Sequence, residues 1–102
     1  MSDEIMLKAA QAMSAGDFKG AMDVFQELID SEPQNPIGHY GWAEAAFMRL
    51  SIDMEEDVPA GKIMQVYKKA MALDEENLEY VASFANFCFD CGRIPMAIKE
   101  YQ

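Results

Sequence analysis

Basic residues are scarce in this chain of 102 residues: eight Lys and Arg stand against eighteen Asp and Glu, for a formal charge of −10. Such a surface repels phosphate backbones, which excludes a nucleic-acid binder and makes any charged partner a basic one. Cysteine is nearly absent. Cys88 and Cys91 are too few for the disulfide framework of a small secreted domain. The sequence has no apolar run near the ~18 residues that a membrane span needs. Its opening, Met1-Ser2-Asp3-Glu4, is acidic where a secretory signal is basic. These absences point to a cytoplasmic protein. What is abundant is apolar side chain, 51% of the residues, enough to build the core of one domain.

The apolar residues step at helical intervals. Ile5, Met6, Ala9, Ala10 and Met13 predict a first helix over residues 3–13, and Gly16 supplies the left-handed residue that ends it. Asp17 caps a second helix carrying Phe18, Ala21, Met22, Phe25, Leu28 and Ile29, stopped before Pro33. Asn35-Pro36 pairs a capping side chain with a proline in the first turn and starts a third helix that runs to about Leu50. Ser51 to Ala60 holds Asp53, Glu55, Glu56 and Asp57 and reads as an acidic solvated loop, with a landing site for a basic partner as the alternative. A fourth helix spans Lys62 to Leu73. Asn77 caps a fifth, whose inner stripe is Val81, Phe84, Ala85 and Cys88 and which Gly92 closes. Pro95 opens a last helix through Ala97, Ile98 and Tyr101.

One frame recurs along this pattern. Gly16-Asp17-Phe18 is followed by Ala21, Phe25, Leu28 and Pro33; Tyr67 and Ala70 repeat the Phe25 and Leu28 pair; and Gly92-Arg93-Ile94, Ala97 and Tyr101 return to the start of the frame. The recurrence resembles the tetratricopeptide repeat, a helix-turn-helix unit of about 34 residues. The resemblance covers nearly the whole chain. It divides residues 1–102, a single domain, into one repeat over about 2–35, a second over about 36–77 and a partial third over about 78–102. The second repeat is about eight residues longer than the family unit, and the excess falls near 51–60, between its two helices. The implied fold is all-α, with about six antiparallel helices in a right-handed superhelical solenoid. The third repeat stops short of completion at Gln102, so the chain reads as the N-terminal piece of a longer protein.

The resemblance also implies a function: a non-catalytic scaffold that takes a peptide segment in the concave groove lined by the first helix of each repeat. Carried onto this sequence, that groove comprises Met6, Ala10 and Met13, then Tyr40, Glu44 and Phe47, then Ala82, Asn86 and Phe89. Glu44 suits a Lys or Arg of the partner, Asn86 a peptide backbone, and the aromatics an anchoring side chain. Packing of Tyr40 and Phe47 against a neighbouring helix is the competing assignment. The basic clamp with which one subclass holds acidic chaperone tails is not kept, because the corresponding positions are Met6, Ala10, Gly41, Glu79 and Ser83. The second reading is self-assembly, a homodimer formed through Ala97, Ile98 and Tyr101 of the uncapped final helix.

Little else points to chemistry. Cys88-Phe89-Asp90-Cys91-Gly92 has the spacing of half a zinc site, but a second cysteine pair is missing and the only histidine, His39, belongs to another repeat. A redox dithiol needs a strand before its helix, and the flanks here are helical. Cys88 is therefore assigned to packing and His39 to the surface or the groove. No nucleophile-base pair or phosphate loop is present, so neither enzymatic activity nor a cofactor is expected.

Overall fold

The computed structural model describes residues 2–52 and 58–90, and these form five helices: α1 (Ser2–Ser14), α2 (Phe18–Ser31), α3 (Pro36–Ser51), α4 (Ala60–Leu73) and α5 (Leu78–Asp90). Each packs on its neighbour in the chain, and α3 also packs on α5. Short connections between packed neighbours make successive helices antiparallel. The longest connection among the described helices is the one between Ser51 and Ala60. The acidic segment expected there lies at 53–57, outside the described residues, as do the last helix and its Ala97, Ile98 and Tyr101.

The first corner is set by residues 15–17. Gly16 adopts a φ of +78°, and its N–H donates to the Met13 carbonyl while that of Asp17 donates to Ala12. This pairing satisfies the carbonyls that the end of α1 leaves open, and a side chain at the left-handed position would strain it. Asp17 then turns donor into acceptor: its carboxylate takes the Gly20 N–H at 3.0 Å and so caps α2.

The next corner occurs twice. After α2, the Glu32 N–H donates to Leu28, the Glu32 carbonyl accepts from the Asn35 N–H at 3.0 Å, and the Glu32 carboxylate accepts from the Asn35 side-chain amide at 3.3 Å. After α4, Asp74 and Asn77 make the same three bonds, with Ala70 in the place of Leu28. Both asparagines then cap the following helix, Asn35 through the Ile37 N–H and Asn77 through that of Tyr80. Burial repeats at the same offset. Phe25 and Tyr67, Leu28 and Ala70, Trp42 and Phe84, Ala43 and Ala85, and Ala46 and Cys88 are buried pairs at equivalent positions.

Small residues decide how closely the helices approach. Ala9, the only residue of α1 with a described side chain that is fully buried, meets α2. Gly41 lies so close to the Phe25 ring that a Cβ there has no room, and at Gly38 a Cβ would stand 3.2 Å from Ile29 and 3.3 Å from Leu28. One turn apart on α3, these two glycines let α2 and α3 cross in near contact. Beyond the crossing an aromatic chain knits α3, α4 and α5. Tyr40 stacks on Tyr80 with centroids 4.3 Å apart, Tyr67 meets Phe87 and Phe47 meets Phe87, each at 5.5 Å. Tyr67, with none of its surface exposed, is the largest side chain buried in this way among the described residues.

His39 corrects the expectation of a surface or groove position. It is buried, and its Nε2 lies 2.8 Å from the Pro33 carbonyl. A carbonyl can only accept, so Nε2 carries the proton and the ring ties the start of α3 back to the end of α2. The residue is part of the corner.

Candidate clefts along the third helix

The side chains of α3 divide into two sets. Gly38, His39, Trp42, Ala43, Ala45, Ala46 and Phe47 are buried in the core, whereas Ile37, Tyr40, Glu44, Met48, Ser51 and Ile52 advance in steps of three and four along the opposite side, with Gly41 among them buried beneath the Phe25 ring. Residues at that spacing share one helix face. The stripe forms the floor of two clefts, one after the other.

The first cleft, of about 280 Å³, lies between α1 and α3 and is lined by Met6, Met13, Phe25, Ile37, Tyr40, Gly41 and Glu44. Met6 and Ile37 stand at its mouth, 37% and 40% exposed. Its polar groups are concentrated at one place. The Tyr40 hydroxyl shares a hydrogen bond of 2.9 Å with Ser83 of α5. Burial, and then the Glu44 carboxylate, push the Tyr40 phenol far above its usual range, with the Ser83 bond opposing them in part. Tyr67 behind it is raised by burial and by the same carboxylate, and its hydroxyl has no hydrogen-bond partner among the described residues. Glu44 therefore stands half-buried beside two phenols that burial keeps neutral. Among the described residues no Lys or Arg forms an ion pair with it; the salt bridge there, Lys19 to Asp23 at 2.8 Å, is on the surface of α2.

The second cleft, of about 670 Å³, lies between α3 and α5 and is lined by Phe47, Met48, Ser51, Ile52, Asn86 and Phe89. Ser51 donates to the Phe47 carbonyl at 3.0 Å, and Phe89 is 55% exposed. At the repeat offset Asn86 occupies the place of Glu44 and Phe89 that of Phe47, so the second cleft carries an uncharged amide where the first carries a carboxylate.

Met6, Met13, Tyr40 and Glu44 of the expected groove thus meet in the first cleft, and Phe47, Asn86 and Phe89 in the second. Ala10 and Ala82 are exposed and line neither. Tyr40 packs on Tyr80 and Phe47 on Phe87, the neighbouring-helix packing weighed from the sequence, and each also lines a cleft. Phe47, only 9% exposed, belongs mainly to the core. Ile37, Met48, Ser51 and Ile52 were not anticipated, although repeated steps of three or four residues from Tyr40 and Glu44 reach each of them, and Gly41 had been named only as a position of the basic clamp that is not kept.

Cys88 is buried in the core beside Tyr67 and Phe84, and Cys91 lies outside the described residues. Among the described residues no cluster of three His, Cys, Asp or Glu side chains could hold a metal ion, and no helix is long and apolar enough to cross a membrane. No protein-family model and no curated protein matches the chain.

Proposed function

We propose that this chain is a non-catalytic, tetratricopeptide-type repeat domain that binds a peptide segment with basic and apolar residues along α3. The observation that carries this reading is the single stripe on α3 that floors both clefts, one side open to α1 and the other to α5. Two further facts support it. The α2–α3 and α4–α5 corners repeat three bonds between the acid and the asparagine that bound them, as units of a solenoid do. The stripe also leaves Ile37 and Ile52 exposed, as α5 leaves Phe89, apolar side chains that a partner would cover. The formal charge of −10 favours a basic partner and draws it in at a distance.

Peptides selected from a displayed library against the wild-type chain test the reading. Glu44→Lys and Phe89→Ser alter one cleft each at positions outside the fully buried core. The selected peptides are expected to bind these variants at least about tenfold more weakly. Undiminished binding to both variants, with their helicity intact, would put the partner surface elsewhere.

A further inference from the structure

The described methionines differ widely in access. Met22 is buried in the core at 5% exposure, whereas Met6 is 37% exposed at the mouth of the cleft between α1 and α3. Met13 is partly buried in that same cleft, and Met48 is partly buried in the cleft between α3 and α5. The two clefts would receive an oxidised methionine differently. In the first, Met13, Phe25 and Ile37 carry no side-chain donor, the Glu44 carboxylate only accepts, and the Tyr40 hydroxyl is already shared with Ser83 at 2.9 Å. In the second, the Asn86 amide offers N–H groups that can donate to a new oxygen.

Resting on the peptide-binding reading, we infer that Met6 is a redox-sensitive modification site, whose oxidation by a peroxide closes the α1–α3 cleft to an apolar side chain of the partner. In that step a lone pair of the Met6 sulfur attacks one oxygen of hydrogen peroxide and the O–O bond breaks. The proton of the attacked oxygen passes to the departing one, which leaves as water; the sulfur gives up two electrons and becomes a sulfoxide. A flexible apolar side chain has then become a polar one. While the cleft is open, the new oxygen lies in water at the mouth and costs the fold little. Once an apolar side chain fills the cleft, Met6 is covered and its oxygen is buried without a donor, a penalty that falls on the complex alone. At Met48 the Asn86 amide can meet the oxygen, so oxidation there matters less. Access sets the order of attack among the described methionines, with Met6 first and Met22 last.

The test treats the full chain with dilute hydrogen peroxide and then removes the oxidant. Peptide mass mapping reads the sulfoxide at each methionine, and binding is measured with library-selected peptides that lack Met and Cys. Binding is expected to weaken about tenfold or more in step with the sulfoxide at Met6, with the urea midpoint nearly unchanged. It should return when methionine sulfoxide reductases restore the thioether. Whatever their starting affinities, Met6→Leu should bind equally before and after peroxide, and Met48→Leu should still lose about tenfold. Unchanged binding with Met6 fully oxidised, a loss that follows another methionine, or a matching fall in the urea midpoint overturns the inference and leaves the peptide-binding reading in place. A library that yields no binding peptide removes that reading, and this inference with it.

Discussion

Tyr67 shows how much can hang on one atom. Its ring fills the seam between α3, α4 and α5, yet its hydroxyl is buried without a hydrogen-bond partner among the described residues and faces the Glu44 charge. Leaving such a donor unmatched costs about 1–3 kcal/mol. Tyr67→Phe removes the hydroxyl and keeps the ring, and is expected to stabilise the fold by about 1 kcal/mol, read as a higher midpoint in urea denaturation. The phenols also predict a response to alkali. Burial raises Tyr40, Tyr67 and Tyr80 above the ordinary value near 10, so the folded chain holds protons that the unfolded chain gives up. Their contribution is complete below about pH 10 and is lost as the pH climbs beyond it, a fall in denaturation midpoint that Tyr67→Phe should lessen. Gly41→Ala tests the opposite kind of defect. A Cβ there collides with the Phe25 ring, and the overpacking is expected to cost about 1–3 kcal/mol in the same assay.

At the level of elements, the corners were legible in the sequence because their logic is local. Gly16, Asp17, Asn35-Pro36 and Asn77 announce the ends of helices through backbone freedom and capping chemistry that act within a few residues. What was not legible depends on neighbours far along the chain. His39 looks polar in sequence and is buried because Pro33 happens to offer it a carbonyl. Gly41 gives no local sign that Phe25 leans on it, and Tyr80 and Phe87 fell outside the stripe expected for α5 because that helix is buried on more than one side. The lining of the two clefts was partly readable for the same reason. Met6, Tyr40, Glu44 and Phe89 follow from a repeat frame, whereas the exposed edge formed by Ile37 and Ile52 emerges only once α1 and α5 stand on either side of α3. The matching corners yield a paired prediction. Asn35→Ala and Asn77→Ala each remove a cap and the same clamp to the preceding acid, and each should cost about 0.5–2 kcal/mol in chemical denaturation. Markedly unequal losses would show that the two corners do different jobs.

For the whole molecule, charge and shape act at different ranges. The excess of acid over base produces a field that extends about a Debye length, ~8 Å at physiological ionic strength. On the proposed reading that field gathers a basic partner before any contact forms, and the clefts act afterwards and at contact distance. Association with a lysine-bearing peptide is therefore expected to slow as salt rises, while its dissociation changes little, a split that stopped-flow fluorescence can read. A dissociation rate that carried most of the salt dependence would instead mark the Glu44 pair as solvent-exposed.

The Glu32–Asn35 and Asp74–Asn77 clamps also work as brackets. Each hangs α3 or α5 on the helix behind it and fixes the point from which that helix starts. The distance between α3 and α5 is then held where they touch, through the Tyr40–Tyr80 stack, the Phe47–Phe87 edge contact and the Tyr40–Ser83 hydrogen bond. The larger cleft therefore keeps its width from ring contacts at its own edge, with the clamps deciding only where along them each helix begins.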